Sequence, residues 1–146
     1  MDILYRAFNG KDDWVWVCDQ IPLTYVEDTC GIMAIDTNTD KIVGAVIFDN
    51  WTDNSVQTHF IITTPMLLRH GFLEYAYTFI FVEKGCKFMY GLVPSNNHKA
   101  CTLNKHMGFT EKTRMTDAYA DGVDFILMEL KRENCKFLTN TLSEAA

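Results

Sequence analysis

The chain has 146 residues and a formal net charge of −6, a length that suits one domain because two would each be too small to bury a good core. Hydrophobic residues make up 48% and charged residues 22%, proportions that exclude an intrinsically disordered chain. The acidic balance argues against a broad nucleic-acid-binding surface, and the apolar runs are too short for a membrane-spanning helix.

The first half of the sequence predicts mostly strands. Apolar and polar side chains alternate over 2–6, which indicates a short strand, and Asn9-Gly10 predicts a turn after it. Asp12 or Asp13 is placed to cap a short helix, which Pro22 ends. Two apolar runs flank a polar turn at 37–40 and so predict a β-hairpin. The elements predicted here are a strand at 2–6, a helix at 14–20, and strands at 31–36, 41–48 and 55–63.

The second half alternates helices with strands. Apolar side chains recur at spacings of three, four and seven over 66–84, which predicts a long, largely buried helix ended by Gly85. The central strand–helix–strand unit implies a parallel, right-handed crossover. The sequence therefore predicts an α/β fold with a mixed, mostly antiparallel sheet in a single domain, 1–135, followed by a polar C-terminal tail, 136–146. The remaining predicted elements are a strand at 87–93, a helix from Asn96 or Asn97 to His106, and strands at 111–116 and 124–130.

The cysteines indicate a reducing compartment. Five are present with no C-x-x-C pair, and the N-terminal residues lack the basic and apolar pattern of a secretory signal. His98 and Cys101 are three residues apart, but a zinc site needs a second such pair. We therefore expect a cytoplasmic location and no metal site.

The sharpest motif lies at 97–109, NHKACTLNKHMGF. Asn97 is suited to cap a helix, Ala100 is small enough to let another surface approach, and Leu103 continues the same face. Gly108 ends the helix and Phe109 returns to the core, so the segment also makes sense as a plain capped amphipathic helix. At the same spacing it resembles the N-x-x-A-x-x-L-Y-x-x-x-G-F pattern of the GNAT superfamily of acyl-CoA-dependent N-acyltransferases. The order of elements over 2–131 is similar to that of the family.

The resemblance implies a site for acetyl-CoA at the start of the long helix. GNAT enzymes hold the cofactor pyrophosphate there on backbone N–H groups, where unpaired donors and the helix dipole attract an anion. Of the family's R/Q-x-x-G-x-G/A pattern this sequence keeps only a basic residue and one glycine. The implied cofactor-binding residues are Leu67, Leu68, Arg69, His70 and Gly71 of this segment, with Asn97 and Ala100 of the motif.

Three residues are candidates for the chemistry. A histidine titrates near neutral pH, which suits the deprotonation of an ammonium group, so His59 is the candidate general base. The alternative is a half-buried strand histidine bonded to a neighbour. Many GNAT members place a tyrosine after the motif leucine as the general acid, whereas this sequence has Asn104 there. Tyr90 on the preceding strand is the candidate substitute.

A polar and aromatic turn precedes the strand that carries His59. Asp49, Asn50 and Trp51 are candidate substrate-binding residues, and the alternative is an Asx-type turn with an aromatic lid. With these residues, the resemblance predicts direct transfer of an acetyl or other acyl group from acetyl-CoA to an amine. Which amine accepts it stays open.

Two rival functions follow from a similarity of 49–59 and 91–109 to degenerate GNAT-like proteins of tailed bacteriophages. One is a DNA-modifying relative similar to the phage Mom proteins, and the other is a non-catalytic scaffold or virion component. A phage protein would occupy the host cytoplasm. Nucleic acid is disfavoured by the net charge, although four basic residues gather late in the chain. These are Lys99, Lys105, Lys112 and Arg114. Trp14 and Trp16, if exposed, would suit a homodimer.

Overall fold

A computed structural model describes residues 1–138. Its seven strands form one mixed sheet in the order β1-β2-β3-β4-β5-β7-β6, which confirms the predicted α/β architecture. In chain order the strands and α-helices are β1 (Ile3–Ala7), α1 (Gly10–Gln20), β2 (Cys30–Asp36), β3 (Lys41–Asp49), β4 (Ser55–Ile62), α2 (Phe72–Tyr77), β5 (Phe88–Pro94), α3 (His98–His106), β6 (Thr110–Ala120) and β7 (Val123–Lys131).

The predicted parallel crossover joins β4 to β5 through α2. All other strand pairs within residues 1–138 are antiparallel. β3 and β4 pair from Gly44–Ile62 to Asp49–Gln57, and β5 pairs with β7 along its whole length. The β4–β5 ladder is much shorter and includes only Ser55–Phe88, Val56–Met89 and Gln57–Tyr90.

The two faces of the sheet are covered by different helices. Strand side chains alternate between the faces, so neighbours in sequence enter different cores. The larger core packs α2 and its continuation against the sheet, with Phe48, Phe72 and Tyr77 fully buried. A smaller core lies under α1 and is built around Val17 and Ile47.

The helix predicted over 66–84 is interrupted, which corrects the sequence-based expectation. Pro65–His70 form a 3-10 turn, named here the 65–70 segment. Gly71 then has φ 78°, a left-handed conformation in which a right-handed helix cannot continue. α2 begins after Gly71 and passes into a π-helical turn at Thr78–Glu83. The predicted end at Gly85 is confirmed, since its φ is 71° and the Cys86 N–H donates to the carbonyl of Ile80.

The first helix also begins differently from the prediction. Asn9 is its N-cap residue, so neither Asp12 nor Asp13 caps it. Asp13 instead lies within the first turns, where its carboxylate accepts from the Asn9 N–H at 2.8 Å and from Arg6 at 2.6 and 2.8 Å. Asp13 therefore links the start of α1 to Arg6 of the preceding strand.

Two further expectations concern residues at the edges of the cores. Trp14 and Trp16 are partly buried against the smaller core rather than exposed, and Trp14 packs edge-on against Tyr25. The predicted tail, 136–146, begins with a 3-10 turn, Lys136–Leu138, in which Leu138 is fully buried. The rest of that predicted tail lies outside the described residues.

Candidate functional site

A gap between β4 and β5 forms the centre of the candidate site. The two strands pair no further than Gln57 and Tyr90, although each continues for several residues alongside its antiparallel neighbour. We call the point where β4 and β5 diverge the fork. There the Thr58 hydroxyl donates to the Tyr90 carbonyl at 3.3 Å. Beyond this point the backbone edges of β4 and β5 that face each other carry no ladder, so polar backbone groups border the gap.

The gap encloses a cavity of about 200 Å³, which we call the splay cavity. Residues from both faces of the sheet line it, so the cavity passes between the strands. His59 and Ile21 lie on the α1 side, and Asn97, Ala100 and Asn104 contribute from α3 and its N-cap. Gly91 borders it on β5, where the absence of a side chain keeps the passage open.

His59 lines this cavity, and its ring is bonded to the carboxylate of Asp49 behind it. His59 Nε2 lies 3.0 Å and 3.1 Å from the two carboxylate oxygens of Asp49, and the side chains are 19% and 8% exposed. The register explains the contact, because Asp49 pairs with Gln57 and so lies diagonally across from His59 on the same sheet face. An ionised carboxylate only accepts hydrogen bonds, so it fixes the proton on Nε2 and leaves Nδ1 as the basic nitrogen of the neutral ring.

The other two predicted catalytic residues lie at different places. Asn104 lines the splay cavity, but its side-chain amide donates to the Ala100 carbonyl at 2.8 Å. Tyr90 lies outside the cavity in a shallow depression beside Glu129. Burial, and then the negative charges of Asp49 and Asp28, raise the pKa of the Tyr90 phenol, so this group holds its proton.

The predicted substrate turn is divided between the two faces of the sheet. Asp49 joins His59, whereas the exposed Asn50 donates to the Gln57 side chain at 2.6 Å. Trp51 packs against Phe48 on the α2 side. The structure therefore brings only Asp49 of the three to the histidine.

A second, larger cavity adjoins the first. This α3 groove has a volume of about 600 Å³ and lies between the end of β4 with the 65–70 segment and one face of α3. Leu103 lines both cavities and is the one described residue that they share. The groove is lined by Ile62, Thr63, Pro65, Leu68, His98, Lys99, Thr102, Leu103 and His106.

The residues predicted to bind the cofactor are placed unevenly around these cavities. Leu68 lines the α3 groove, and Asn97 and Ala100 line the splay cavity, where the Asn97 side chain accepts from the Ala100 N–H at 3.1 Å. The other four predicted residues, Leu67, Arg69, His70 and Gly71, do not line either cavity. Leu67 is buried against Gly44, Arg69 is exposed beside the Met66 sulfur, the His70 carbonyl accepts from Tyr5, and Gly71 lies in a separate depression.

Sequence reasoning missed the His59–Asp49 contact and the basic face of α3. Counting back through the β3–β4 hairpin would have paired the two strands and brought Asp49 to the histidine. On α3, His98, Thr102 and His106 recur at every fourth residue, a spacing that places them on one helix face.

Two negative findings apply to the part of the chain that the structure describes. In residues 1–138 no group of three or more histidine, cysteine or acidic side chains is arranged to hold a metal ion. None of the described helices combines the length and apolar character needed to span a membrane.

Comparison with known proteins gives a result at the level of fold. No family model matches the sequence, and no curated protein matches it. Solved structures do match: the spermidine/spermine N-acetyltransferase SpeG from Vibrio cholerae is 14% identical with a TM-score of 0.73, over 99% of this chain and 98% of that one. A structure of spermidine N-acetyltransferase from the same organism with CoA and spermine is 16% identical with a TM-score of 0.71, over 94% and 99%. The chain thus has the fold of the GNAT acetyltransferases.

Proposed function

We propose that this protein is an acyl-CoA-dependent N-acyltransferase that moves an acetyl group from acetyl-CoA directly to an amine. The observation that carries the proposal is the splay cavity with His59 on its wall, held by Asp49. A passage between diverging strands can align two reactants, and the histidine supplies a base at their meeting point.

The reaction needs only groups that this site can provide. His59 removes a proton from the ammonium form of the acceptor, directly or through a water, and the free amine attacks the thioester carbonyl carbon. The C–N bond forms and the C–S bond breaks. The attacking nitrogen loses its second proton, the thiolate takes one up, and the products are an amide and CoA. Backbone N–H groups at the unpaired strand edges are suited to support the carbonyl oxygen as it gains charge.

Asp49 acts in this scheme as a positioning residue. Its carboxylate holds the ring of His59 and stabilises the imidazolium formed when the proton arrives. Tyr90 stays a candidate proton donor for the thiolate, and Asn104 a candidate hydrogen-bond donor to it. Both are proposals that rest on their nearness to the fork.

The cofactor is proposed to run from the α3 groove into the splay cavity. Leu68, Asn97 and Ala100 border that path. Leu67, Arg69, His70 and Gly71 line neither cavity and stay predictions from the family resemblance alone. Spermidine is the first acceptor to test, because the solved structures of the same fold carry that substrate in their names.

A test of the proposal has two stages. Acetyl-CoA at 100 times its dissociation constant should stabilise the fold by about 2.7 kcal/mol, which a thermal-shift measurement detects. CoA release with spermidine and a panel of other amines then reports turnover. His59→Gln should lower kcat by roughly 100-fold or more, and Asp49→Asn should lower it less. Asp53→Asn, a loss of the same charge in an exposed loop, is the matched control. Absence of any shift with acetyl-CoA would refute the proposed activity.

A further inference from the structure

The α3 groove carries a concentration of basic side chains in an acidic protein. His98, Lys99 and His106 line it, and no acidic residue among residues 1–138 does so. The whole chain has 13 lysines and arginines against 19 acidic residues. A wall with three basic side chains and no acidic one in such a chain requires a local explanation, because the average surface is acidic.

In the described part of the chain these three side chains lack a bonding partner. Within residues 1–138 none of them makes a hydrogen bond or an ion pair, whereas Arg6 binds Asp13, and Arg114 pairs with Glu111 and Asp124. All three side chains are exposed to solvent, as residues on the wall of an open groove are. Here they border a concave volume of about 600 Å³ whose other wall is apolar, formed by Ile62, Pro65 and Leu68. An apolar wall opposite unpaired donors fits a ligand with a flat ring at one end and anionic groups at the other.

We infer that the His98–Lys99–His106 face of α3 binds the nucleoside-diphosphate part of the acyl-CoA. This inference rests on the proposed function for the identity of the ligand, and it differs from the expectation that backbone N–H groups of the 65–71 stretch hold the phosphates. Lysine and histidine side chains donate to phosphate oxygens, and the neighbouring Thr102 hydroxyl adds a further donor.

The geometry of the 65–71 stretch favours phosphate binding by α3 side chains over binding by the backbone N–H groups of this stretch. Its Leu67 is fully buried on the sheet, so the segment is anchored by a side chain rather than left open as a glycine-rich loop. Its only arginine, Arg69, points to the Met66 sulfur and does not line the groove. The basic face of α3 lies directly across the groove.

The inference is tested by calorimetric titration of the full chain with three probes: CoA, ADP and S-acetylpantetheine, a thioester that lacks the nucleoside diphosphate. Lys99→Gln should weaken CoA and ADP binding by about tenfold, equal to about 1.4 kcal/mol, and leave S-acetylpantetheine unchanged. Lys105→Gln removes the same charge from an exposed position of the same helix outside the groove, and it should change none of the three affinities. Lys99 is exposed, so the variant keeps its fold.

The remaining outcomes separate this inference from the proposed function. Equal CoA affinity in wild type and Lys99→Gln, or equal weakening by Lys99→Gln and Lys105→Gln, overturns the α3 phosphate site and leaves the acyltransferase proposal standing. ADP binding that depends on Lys99, without turnover of any acyl-CoA, supports the phosphate site and refutes the enzyme. Failure of the wild type to bind either CoA or ADP overturns both.

Discussion

Replacing Gly44 with alanine adds one methyl group where the 65–70 segment rests on the sheet. Gly44 lies in β3 between Ala34 of β2 and Ile62 of β4. A Cβ atom built there would lie 2.9 Å from the Ile61 carbonyl oxygen and would overlap the end of the Leu67 side chain. Leu67 is fully buried, so its side chain cannot move out into solvent.

The cost follows from this crowding. Adding a methylene-sized group to a packed core destabilises by about 1–3 kcal/mol. For a domain of this size each kcal/mol lowers Tm by about 2–4 °C, so Gly44→Ala should lower Tm by roughly 2–12 °C. Leu67 anchors the 65–70 segment on the sheet, and Pro65 and Leu68 of that segment line the α3 groove. Displacing Leu67 should therefore also weaken CoA binding, provided that the α3 groove is the cofactor site.

The assay is a double-mutant cycle by chemical denaturation. Leu67→Ala alone should cost about 2–5 kcal/mol, because it leaves a cavity above the sheet. In the double variant the new methyl of residue 44 enters that cavity, so the two costs should fall short of additivity by about 1 kcal/mol or more. Strict additivity would show that Leu67 does not cover Gly44 and would refute the described anchoring of the segment.

Three further predictions concern stability, acid sensitivity and the cavity. Tyr77→Phe removes the buried hydrogen bond to the Met107 carbonyl, 2.7 Å long, and should cost about 1–3 kcal/mol with an unchanged denaturant m-value. The Arg6 hydrogen bond lowers the pKa of Asp13, so its contribution is present above its unfolded pKa and is lost as pH falls through the lower folded pKa. Asp13→Asn should therefore cost about 1–2 kcal/mol at pH 7 and flatten the acid limb of the stability profile, as thermal melts across pH would show. Gly91→Val should reduce acetyl-CoA turnover far more than Gly91→Ala, whose added Cβ meets only an ordinary 3.4 Å contact.

The sequence was sufficient for the elements whose patterns are local. Strand alternation and turn residues located β2 and β3 to within one residue at each end, and Asn97 caps α3 as predicted. The single parallel crossover also followed from the order of elements. These features depend on neighbouring residues in the chain, which is where propensity and capping act.

The errors arose where distant residues decide the structure. The helix predicted over 66–84 had a sound apolar pattern, but burial of Leu67 on a glycine of another strand favours a 3-10 turn before Gly71. The same holds for the site: His59 was identified by its chemistry, while its partner Asp49 is set by the pairing register. The Leu67 contact depends on tertiary packing, which no local pattern encodes, whereas the Asp49 contact follows from a hairpin register that can be counted from the sequence.

The alternation of side chains across the sheet determines how the two reactants of the proposed reaction must approach. His59 and Asp49 lie on the α1 face, whereas α3 and its groove lie on the opposite face, and the splay cavity is lined from both. An acyl thioester that enters along α3 therefore presents its carbonyl through the gap, and the amine must reach His59 from the α1 side. Acceptor choice then depends on the α1 face, near Ile21 and Asp49, and phosphate binding depends on α3. Substitutions on the two faces should therefore have different kinetic effects. Changes on the α1 face should alter KM for the amine, and changes on the α3 face should alter KM for the thioester.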